Sequence, residues 1–564
     1  MENFKQKIKN FFYQEPQKYE FTLYENFSEN QELKAVNNDF LKEAKVGNNI
    51  EENQKMIKIK FNALINSDVV IREFAVIVNN KYYKAFIVYI DGLSDSDLVN
   101  NYVLKPLMLR NESNTYNLDE IHTEHIKSSI KITKKSKTDL INYISNSLLP
   151  QNSIKQSNSF SQIADDINLG NCALFIDTLE FAFTIDAKNF KQRSVDTPTN
   201  EIVIKGPQEA FVENLRTNTS LLRRTVNNEN LVIENISVGK MSKTKCGICY
   251  LKNIANSDLI AEVKFRLNNI NLDSLLSSGE LEQLIENDNP YSIPQILSTE
   301  RPDKVTKLLY EGRIAILVNG NPYCLVVPAI FIDYLTSPED TNLKPVFANF
   351  LKFLRLVSLF ITLLLPALWI ATTNFHQELI PTELLFSILS SRSSVPFPVI
   401  FEILVMEFSF ELIREASIRV PSPVGVSIGI VGGLILGEAA VNANIVSPIL
   451  IIIIALTGIA SFAIPDFSFG FHIRTMRFIF TFLAFITGFL GIGVGLFIYI
   501  TVMCGLKSFG VPYMSPYSPF SGMSGNGYIE APAWKREKRP DYLNPKISNR
   551  EPNISMKWKD VNGN

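Results

Sequence analysis

The sequence predicts an α/β cytoplasmic N-terminal region of two related subdomains, followed by an α-helical multi-pass membrane domain. Three observations predict this class. The composition changes abruptly near residue 345, a strand–turn–helix pattern occurs twice before that point, and long apolar runs follow it. Alternating strands and helices are typical of α/β folds, and apolar runs of about 20 residues are long enough to cross a bilayer.

The average composition conceals two different parts. The 564 residues are 46% hydrophobic and 20% charged with a net charge of −2, like an ordinary soluble protein. Residues 1–345, however, are rich in Asn, Lys, Asp, Glu and Ser, whereas residues 350–506 are dominated by Ile, Leu, Phe, Val and Gly. The near-neutral charge, without a basic face carrying interleaved aromatic residues, argues against nucleic-acid binding. The chain opens with no apolar run as long as a secretory signal, so we expect the first 340 residues to stay cytoplasmic.

The first half contains a repeated pattern. Residues 85–99 read AFIVYIDGLSDSDLV, and residues 246–260 read CGICYLKNIANSDLI. Each is an alternating strand that leads into Ser-Asp-Leu. Ser96 and Ser257 stand where an N-cap residue would satisfy the first free N–H groups of the following helix. The repeat predicts that the first half arose by duplication of one unit.

We predict related α/β subdomains at residues 56–190 and 230–335, after an N-terminal extension at residues 1–55. A weaker likeness between residues 172–186 and 314–328 supports the duplication, and a chance likeness is the alternative. The second of these segments contains an Asn-Gly step between alternating runs, which predicts a β-hairpin.

The segment between the subdomains, residues 191–229, is predicted to be a mostly helical connector. Its polar part, residues 205–225, carries four charged side chains that are candidates for interdomain or subunit contacts: Glu213, Arg216, Arg223 and Arg224. A solvated helix is the alternative interpretation of the same pattern.

The first half offers little chemistry. Cys246 and Cys249 have the spacing of half a zinc or redox site, but no second pair completes it, and positions i and i+3 of a strand face opposite sides. His122 and His125 can share a helix face but lack a third ligand. Structural cysteines and solvated histidines are therefore the favoured interpretations. With no phosphate-binding loop or nucleophile elbow, we predict a protein that is not an enzyme and needs no metal or cofactor.

The second half, residues 346–506, is predicted to be a multi-pass transmembrane domain. Its first apolar run follows Lys344, Lys352 and Arg355, and this excess of positive charge places the first half of the chain in the cytoplasm. A shorter apolar stretch after that run predicts a helix lying at the outer surface.

The next apolar run is interrupted by Glu402, Glu407 and Glu411. A helical wheel places Glu407, Glu411 and Arg414 on one stripe, which cannot face lipid. Two interpretations stay open: the carboxylates line an aqueous path, or they make a charge-paired contact with another helix.

The following run combines glycines with a polar end. Glycine recurs at every fourth position, a pattern that lets membrane helices approach closely: Gly425, Gly429, Gly433 and Gly437. Beyond this face lie Glu438, Val441, Asn442 and Asn444. A ring of such helices would surround an axis with carboxylates, amides and an aliphatic constriction, as in a gated cation pathway. A polar loop at the outer surface is the alternative.

The last apolar block, residues 478–505, would be about 42 Å long as a single helix, against a hydrocarbon core of about 30 Å. It is interrupted by glycines, so it is either one tilted helix or a broken pair. The polar, basic C-terminal tail, residues 507–564, contains WKREKRP, which favours the cytoplasm. We therefore expect both ends of the chain inside and an even number of crossings.

Four stretches resemble a known family: GPQEAFVENLRTNTSLLRR, STERPDKV, EGRIAILVNGNPYCLVVPAIF and the long run from ELIREASIRVP to ASFAIPDF. Over residues 60–520 the chain is similar to the A subunits of GerA-type nutrient germinant receptors of endospore-forming bacteria. The resemblance implies a complex in the spore inner membrane with a transporter-like B subunit and a lipoprotein C subunit. It also implies that A subunits form a homo-oligomeric ring, a pentamer, which acts as a nutrient-gated channel for monovalent cations.

Carried onto this chain, the resemblance puts the pore constriction near Val441, with Glu438 and Asn442 beside it. Ser417 and Asn444 stand where the family has Gly, which puts the position of the gate and its selectivity in question.

Two other function classes compete with the channel. One is a non-conducting scaffold that relays nutrient binding to a partner subunit. The other is a transporter working alone, with Glu407 and Glu411 as ion sites. No inverted repeat across the spans supports this last hypothesis.

Overall fold

The structure is a computed structural model of the chain. The residues it describes are 21–23, 44–78, 81–109, 141, 144, 149–150, 153–188, 198, 200–289, 291–419, 433, 437–521, 528–533 and 536–550. The predictions for His122, His125, Gly425 and Gly429 lie outside the described residues.

The first α/β unit is a five-stranded antiparallel sheet with the strand order β1-β2-β4-β5-β3. Three consecutive helical pieces, Ser96–Leu98, Val99–Leu104 and Lys105–Leu109, follow β2. The remaining elements are α1 (Ile50–Lys60), β1 (Val69–Val78), β2 (Lys81–Ile90), β3 (Ile154–Ser157), α2 (Phe160–Asn168), β4 (Cys172–Ile176) and β5 (Ala182–Ile185).

The second unit is also a five-stranded antiparallel sheet, with the order β6-β7-β9-β10-β8. Its elements are α3 (Leu215–Val226), β6 (Leu231–Val238), β7 (Thr244–Leu251), α4 (Ser257–Asn268), α5 (Ser278–Ile285), β8 (Leu297–Thr299), α6 (Pro302–Glu311), β9 (Ile314–Val318) and β10 (Cys324–Val327).

The two units share one topology. In each, a helix precedes the first strand, helical residues follow the second, another helix precedes the fourth, and the fourth and fifth strands form a hairpin. The repeated sequence segments fall on equivalent elements, β2 and β7 with the helix that follows each. The caps lie one residue earlier than predicted, because the side chains of Asp95 and Asn256, rather than Ser96 and Ser257, accept the first helical N–H groups.

The observed unit boundaries differ from the predicted ones. Helix α1 begins at Ile50, so it crosses the predicted boundary at residues 55 and 56, and its buried Ile57 packs in the core of the first unit. Among the described residues of the predicted connector, only α3 is helical, and residues 200–214 are irregular. Because α3 precedes β6 as α1 precedes β1, it belongs to the second unit.

The second half of the chain is helical. Its helices are α7 (Pro345–Ile370), α8 (Thr382–Arg392), α9 (Val399–Arg419), α10 (Pro448–Phe462), α11 (Phe467–Thr487) and α12 (Phe489–Gly505). Within the described ranges, two helical stretches are long and apolar enough to cross a membrane, Pro345–Phe375 and Phe467–Thr487. Helices α10 and α12 are shorter but equally apolar. The predicted last block is thus a broken pair, divided at Gly488, whose φ of +64° suits glycine.

Contacts at the helix ends give the direction of each helix. At the start of α11, the ring of Phe469 packs against Phe331 and Tyr334, which follow β10 in the second α/β unit. Beyond the end of α7, the ring of His376 packs on Phe489 at the start of α12, with centroids 4.8 Å apart. Helices α7 and α11 therefore run away from the α/β units, and α12 returns toward them.

The predicted polar tail begins as part of the core of the second unit. After α12, strands β11 (Lys507–Ser508) and β12 (Val511–Pro512) form a short hairpin. The hydroxyl of Ser508 donates to the carbonyl of Gln295 at 2.6 Å, and Phe509, Val511 and Leu543 are buried in one cluster with β6 and β7. The tail hairpin therefore lies on the same side of the helices as the α/β units.

Candidate functional site

The polar motif of the second half ends a helix. Residues 437–442 are helical, and Asn444 has a φ of +52°, in the left-handed region. This is the usual position of a C-terminal glycine, and Asn is the next most tolerant residue there. Asn444 therefore fits the position at which the resembled family has Gly.

The four pore candidates differ in exposure. Glu438, Asn442 and Asn444 are exposed, whereas Val441 is partly buried and packs against the apolar core of the helical part. No ion pair to Glu438 is found within the part of the chain that the structure describes. In a single copy of the chain, the polar side chains of the motif are therefore exposed, and of the four candidates Val441 is the one that packs against the core.

The described glycines of the same helix have different surroundings. A Cβ on Gly437 would lie 3.8 Å from Ile451 of α10, so this glycine faces a neighbouring helix. A Cβ on Gly433 would meet no described atom within 4 Å. Among the residues that the structure describes, none therefore covers Gly433.

The carboxylates of α9 are engaged by arginines. Fully buried Glu407 lies 3.2 Å from the guanidinium of Arg477 on α11. Glu411 lies 3.2 Å from both Arg474 and Arg477 and 3.4 Å from Arg414 on its own helix. Two carboxylates thus face three guanidinium groups, which leaves one net positive charge. This geometry corresponds to the charge-paired helix contact, the second of the two interpretations of the stripe.

Glu402 joins two other parts of the helical domain. Its carboxylate accepts the backbone N–H of Ser447 at 3.0 Å, just after the polar motif, and lies 3.4 Å from Arg392 at the end of α8. The end of the motif is therefore attached to α9 by a buried carboxylate, whose loss would leave the Ser447 N–H unpaired.

The contact candidates of α3 join the two α/β units. Arg223, only 2% exposed, donates from Nε and Nη2 to the two oxygens of Asp68 at 2.7 and 2.8 Å, and from Nη2 to Asn66 at 2.9 Å. Asn66 and Asp68 precede β1, whereas Arg223 belongs to the second unit. Arg216 pairs with Asp91 after β2 on the same side of the helix.

The other two candidates lie at the protein surface. Arg224 pairs with Glu209, and Glu213 has an exposed side chain, while its backbone carbonyl accepts the N–H of Gly320 at 2.7 Å. Of the four, Arg216 and Arg223 make the interdomain contacts.

An aromatic junction between the helices and the second unit was missed at the sequence level. Tyr334 stacks on Phe469 with centroids 5.4 Å apart, and it lies 6.1 Å from the ring of Tyr513. One turn further along α11, His472 shares a hydrogen bond of 2.9 Å with the hydroxyl of Tyr499 on α12. The motif FSFGFH, which directly follows the N-cap Asp466, was the one sequence feature that could have indicated this junction. Its partners, however, are distant in the chain.

The two central cysteines lie on opposite faces of β7, as their strand position predicts. Cys246 packs in the core that includes α4, and Cys249 packs in the core that includes α3. Burial raises the pKa of the Cys249 thiol to about 12. Both thiols are therefore core side chains.

Comparison with known proteins gives consistent similarities. Residues 55–542 match the family described as Bacillus/Clostridium GerA spore germination protein. The chain is 38% identical over 477 residues to Spore germination protein KA of Bacillus subtilis (strain 168), covering 84% of each chain. It is 37% identical over 475 residues to Uncharacterized membrane protein YfkQ of the same organism, covering 84% of this chain and 88% of the relative.

A solved structure is also similar, the crystal structure of the N-terminal domain of the A subunit of the Bacillus megaterium spore germinant receptor GerK3. The sequence identity is 30%, the match covers 51% of this chain and 98% of that chain, and the TM-score is 0.37.

Proposed function

Because the chain belongs to the GerA family of spore germination proteins, we propose that it is the A subunit of a nutrient germinant receptor. In this proposal its helical domain spans the spore inner membrane and oligomerises, with a pentamer as the expected ring. The ring forms a gated cation channel whose opening starts germination. A transporter-like B subunit and a lipoprotein C subunit are the expected partners.

Two features support the membrane arrangement. Two helical stretches have the length and apolarity of membrane spans. The α/β units and the tail hairpin share one end of the helices, where Lys344, Lys352 and Arg355 also lie, so a cytoplasmic position of that end obeys the positive-inside rule. An even number of crossings accounts for the α/β units and the tail hairpin being on the same side.

The observation that carries the proposal is the exposed polar end of a run of sequence that is otherwise apolar. Glu438 and Asn442 stay uncovered in a single chain, whereas Glu402, Glu407 and Glu411 are engaged within it. An uncovered carboxylate in an apolar region is costly unless it faces water or a partner. Repetition around an axis would give Glu438 an aqueous lumen, and no described residue covers Gly433, where the neighbouring copy would pack.

A valine-to-alanine substitution tests the channel. Val441→Ala removes two methyl groups from the expected constriction, and we expect dormant spores carrying it to release monovalent cations without nutrient. The matched control is Val494→Ala on the exposed face of α12, where the valine is 52% exposed. Cation release is measured by flame photometry of the spore supernatant. If spores with Val441→Ala retain their cations and germinate as the control does, the pore assignment is wrong.

A second candidate, the non-conducting scaffold, is favoured by the contacts between units. Arg216 and Arg223 join the α/β units, and the aromatic junction joins the second unit to α11, which together form a continuous path for a conformational signal. In that case substitutions at Arg216 or Arg223 abolish the response to nutrient, while Glu438 and Val441 tolerate change. The channel hypothesis instead expects that Glu438 and Val441 do not tolerate substitution.

A further inference from the structure

A cavity of about 200 Å³ lies where three parts of the chain meet. One wall is a face of α6, and another is the segment of residues 330–342 after β10. The third wall is formed by Lys352 near the start of α7 and by Glu530 and Tyr542 of the tail. The cavity thus adjoins the second α/β unit, the first long helix and the tail.

The wall of the cavity is strongly charged, and nearly every charge has a partner. Lys304 lies 2.7 Å from Glu201, Lys352 lies 2.5 Å from Glu530, and Asp303 lies 2.8 Å from Arg301. In the same wall, Arg313 donates to Asp333 at 2.9 Å and lies 3.7 Å from Glu311. Each of these charged groups therefore has a partner of opposite charge within the protein, and Asp333 and Glu311 share Arg313.

Lys307 is the exception. Its side chain lines the cavity, and it forms no ion pair or hydrogen bond with any residue that the structure describes. Burial lowers the pKa of its ammonium group by more than the charges of Glu311 and Glu530 raise it, so these carboxylates compensate only part of the lost hydration. A cation in this position is stabilised by an anion that enters the cavity.

The remaining wall offers hydrogen bonds rather than charge. Ser337 accepts a backbone N–H with its hydroxyl oxygen, which leaves the hydroxyl proton for another acceptor. Among the described residues, the amide of Asn342 makes one long hydrogen bond, 3.5 Å to the carbonyl of Pro338. A volume of about 200 Å³ far exceeds the space that a single water molecule needs. The occupant is therefore a small solute.

We propose that this cavity binds a small monovalent oxyanion, a carboxylate or a phosphate, with Lys307 as its counter-ion. The inference goes beyond the proposed channel and does not depend on it. The bound anion contacts α6 on one side and the start of α7 and the tail on the other. Its binding therefore strengthens the attachment of the second α/β unit to the helical domain.

Thermal unfolding of the full-length chain in mild detergent tests the proposal. The probes are potassium phosphate and potassium acetate, each compared with potassium chloride at equal ionic strength. We expect one or both to raise the Tm with a saturating dose dependence, because ligands that bind the folded state stabilise it. A shift with phosphate alone identifies phosphate as the ligand chemistry, and a shift with acetate alone identifies a carboxylate. No shift with either overturns the proposal.

Two variants and a control separate binding from a structural role. Lys307→Met removes the unpartnered charge, so we expect a higher Tm in chloride and no further rise with the active anion. Asn342→Asp puts a carboxylate into the wall and is expected to abolish the anion effect as well, which keeps the test valid if the first variant fails to fold. Lys240→Met, at an exposed lysine after β6, is expected to keep the wild-type response. An anion effect that persists in either cavity variant refutes the assignment.

Discussion

The contact between the α/β units supports a quantitative prediction. Arg223 is almost completely buried and makes three hydrogen bonds to Asp68 and Asn66, which belong to the other unit. Arg223→Met keeps the volume of the side chain but leaves the Asp68 carboxylate, which is 10% exposed, without its cation. Removing one partner of a buried ion pair typically costs about 3–5 kcal/mol. We expect a loss of stability of that size.

The same helix supplies a matched control. Arg216 lies seven residues earlier on α3 and also pairs with a carboxylate of the first unit, but its side chain is 57% exposed. Arg216→Met makes the same chemical change on the same helix face, and exposed pairs contribute at most about 1 kcal/mol. The two variants share the same change in charge, helix propensity and side-chain length, and they differ in burial. A difference between their losses of stability therefore reports the effect of burial.

The assay is urea unfolding of the full-length chain in detergent, followed by circular dichroism. The double variant Asp68→Asn with Arg223→Met is expected to recover part of the loss, because no buried carboxylate is then left uncompensated. If Arg223→Met and Arg216→Met reduce the free energy of unfolding equally, the reasoning from burial is wrong. Full recovery is not expected, because Asn66 still lacks the guanidinium donor and keeps only the backbone N–H of Ile233.

Two further predictions concern single positions. Burial, followed by the nearby charges of Glu286 and Asp466, raises the pKa of Glu282 to about 8. The folded state therefore binds this proton more tightly than the unfolded state, so the stability that the proton contributes is present at low pH and lost as pH rises through about 8. Between pH 6 and pH 9 the Tm of Glu282→Gln should fall less than the Tm of the wild type. Equal falls would contradict the assignment. Because Asn444 has a φ of +52°, Asn444→Val is expected to lower the free energy of unfolding by about 1–2 kcal/mol, whereas Asn444→Gly leaves it nearly unchanged. Equal Tm values for the two variants would exclude a left-handed backbone conformation at this position.

Local patterns in the sequence predicted much of the fold. The repeated strand–turn–helix segments fall on equivalent strands of two sheets with one topology. The Asn-Gly step predicted the hairpin of β9 and β10, which the structure contains. These features depend on residues close together in the chain, so periodicity and turn chemistry suffice to recognise them.

Features that depend on distant residues were not predicted. A helical wheel placed Glu407 and Glu411 on one stripe, but only the packing of α9 against α11 supplies their partners Arg474 and Arg477. The tail was predicted to be polar because Pro and Gly are frequent in it and because it contains WKREKRP, yet Phe509 and Val511 are buried in the second unit. Long-range contacts of this kind have no local signature in a single sequence.

The burial of the tail has a consequence for biosynthesis. The strands of the second unit end at Val327, but the side chains that complete its core begin at Phe509, roughly 180 residues later. At about 5–20 residues per second, the ribosome needs on the order of 10–40 s to make the intervening segment. During that interval the core of the second unit lacks these side chains. In the membrane arrangement proposed above, the unit is therefore completed only after the helices have entered the lipid.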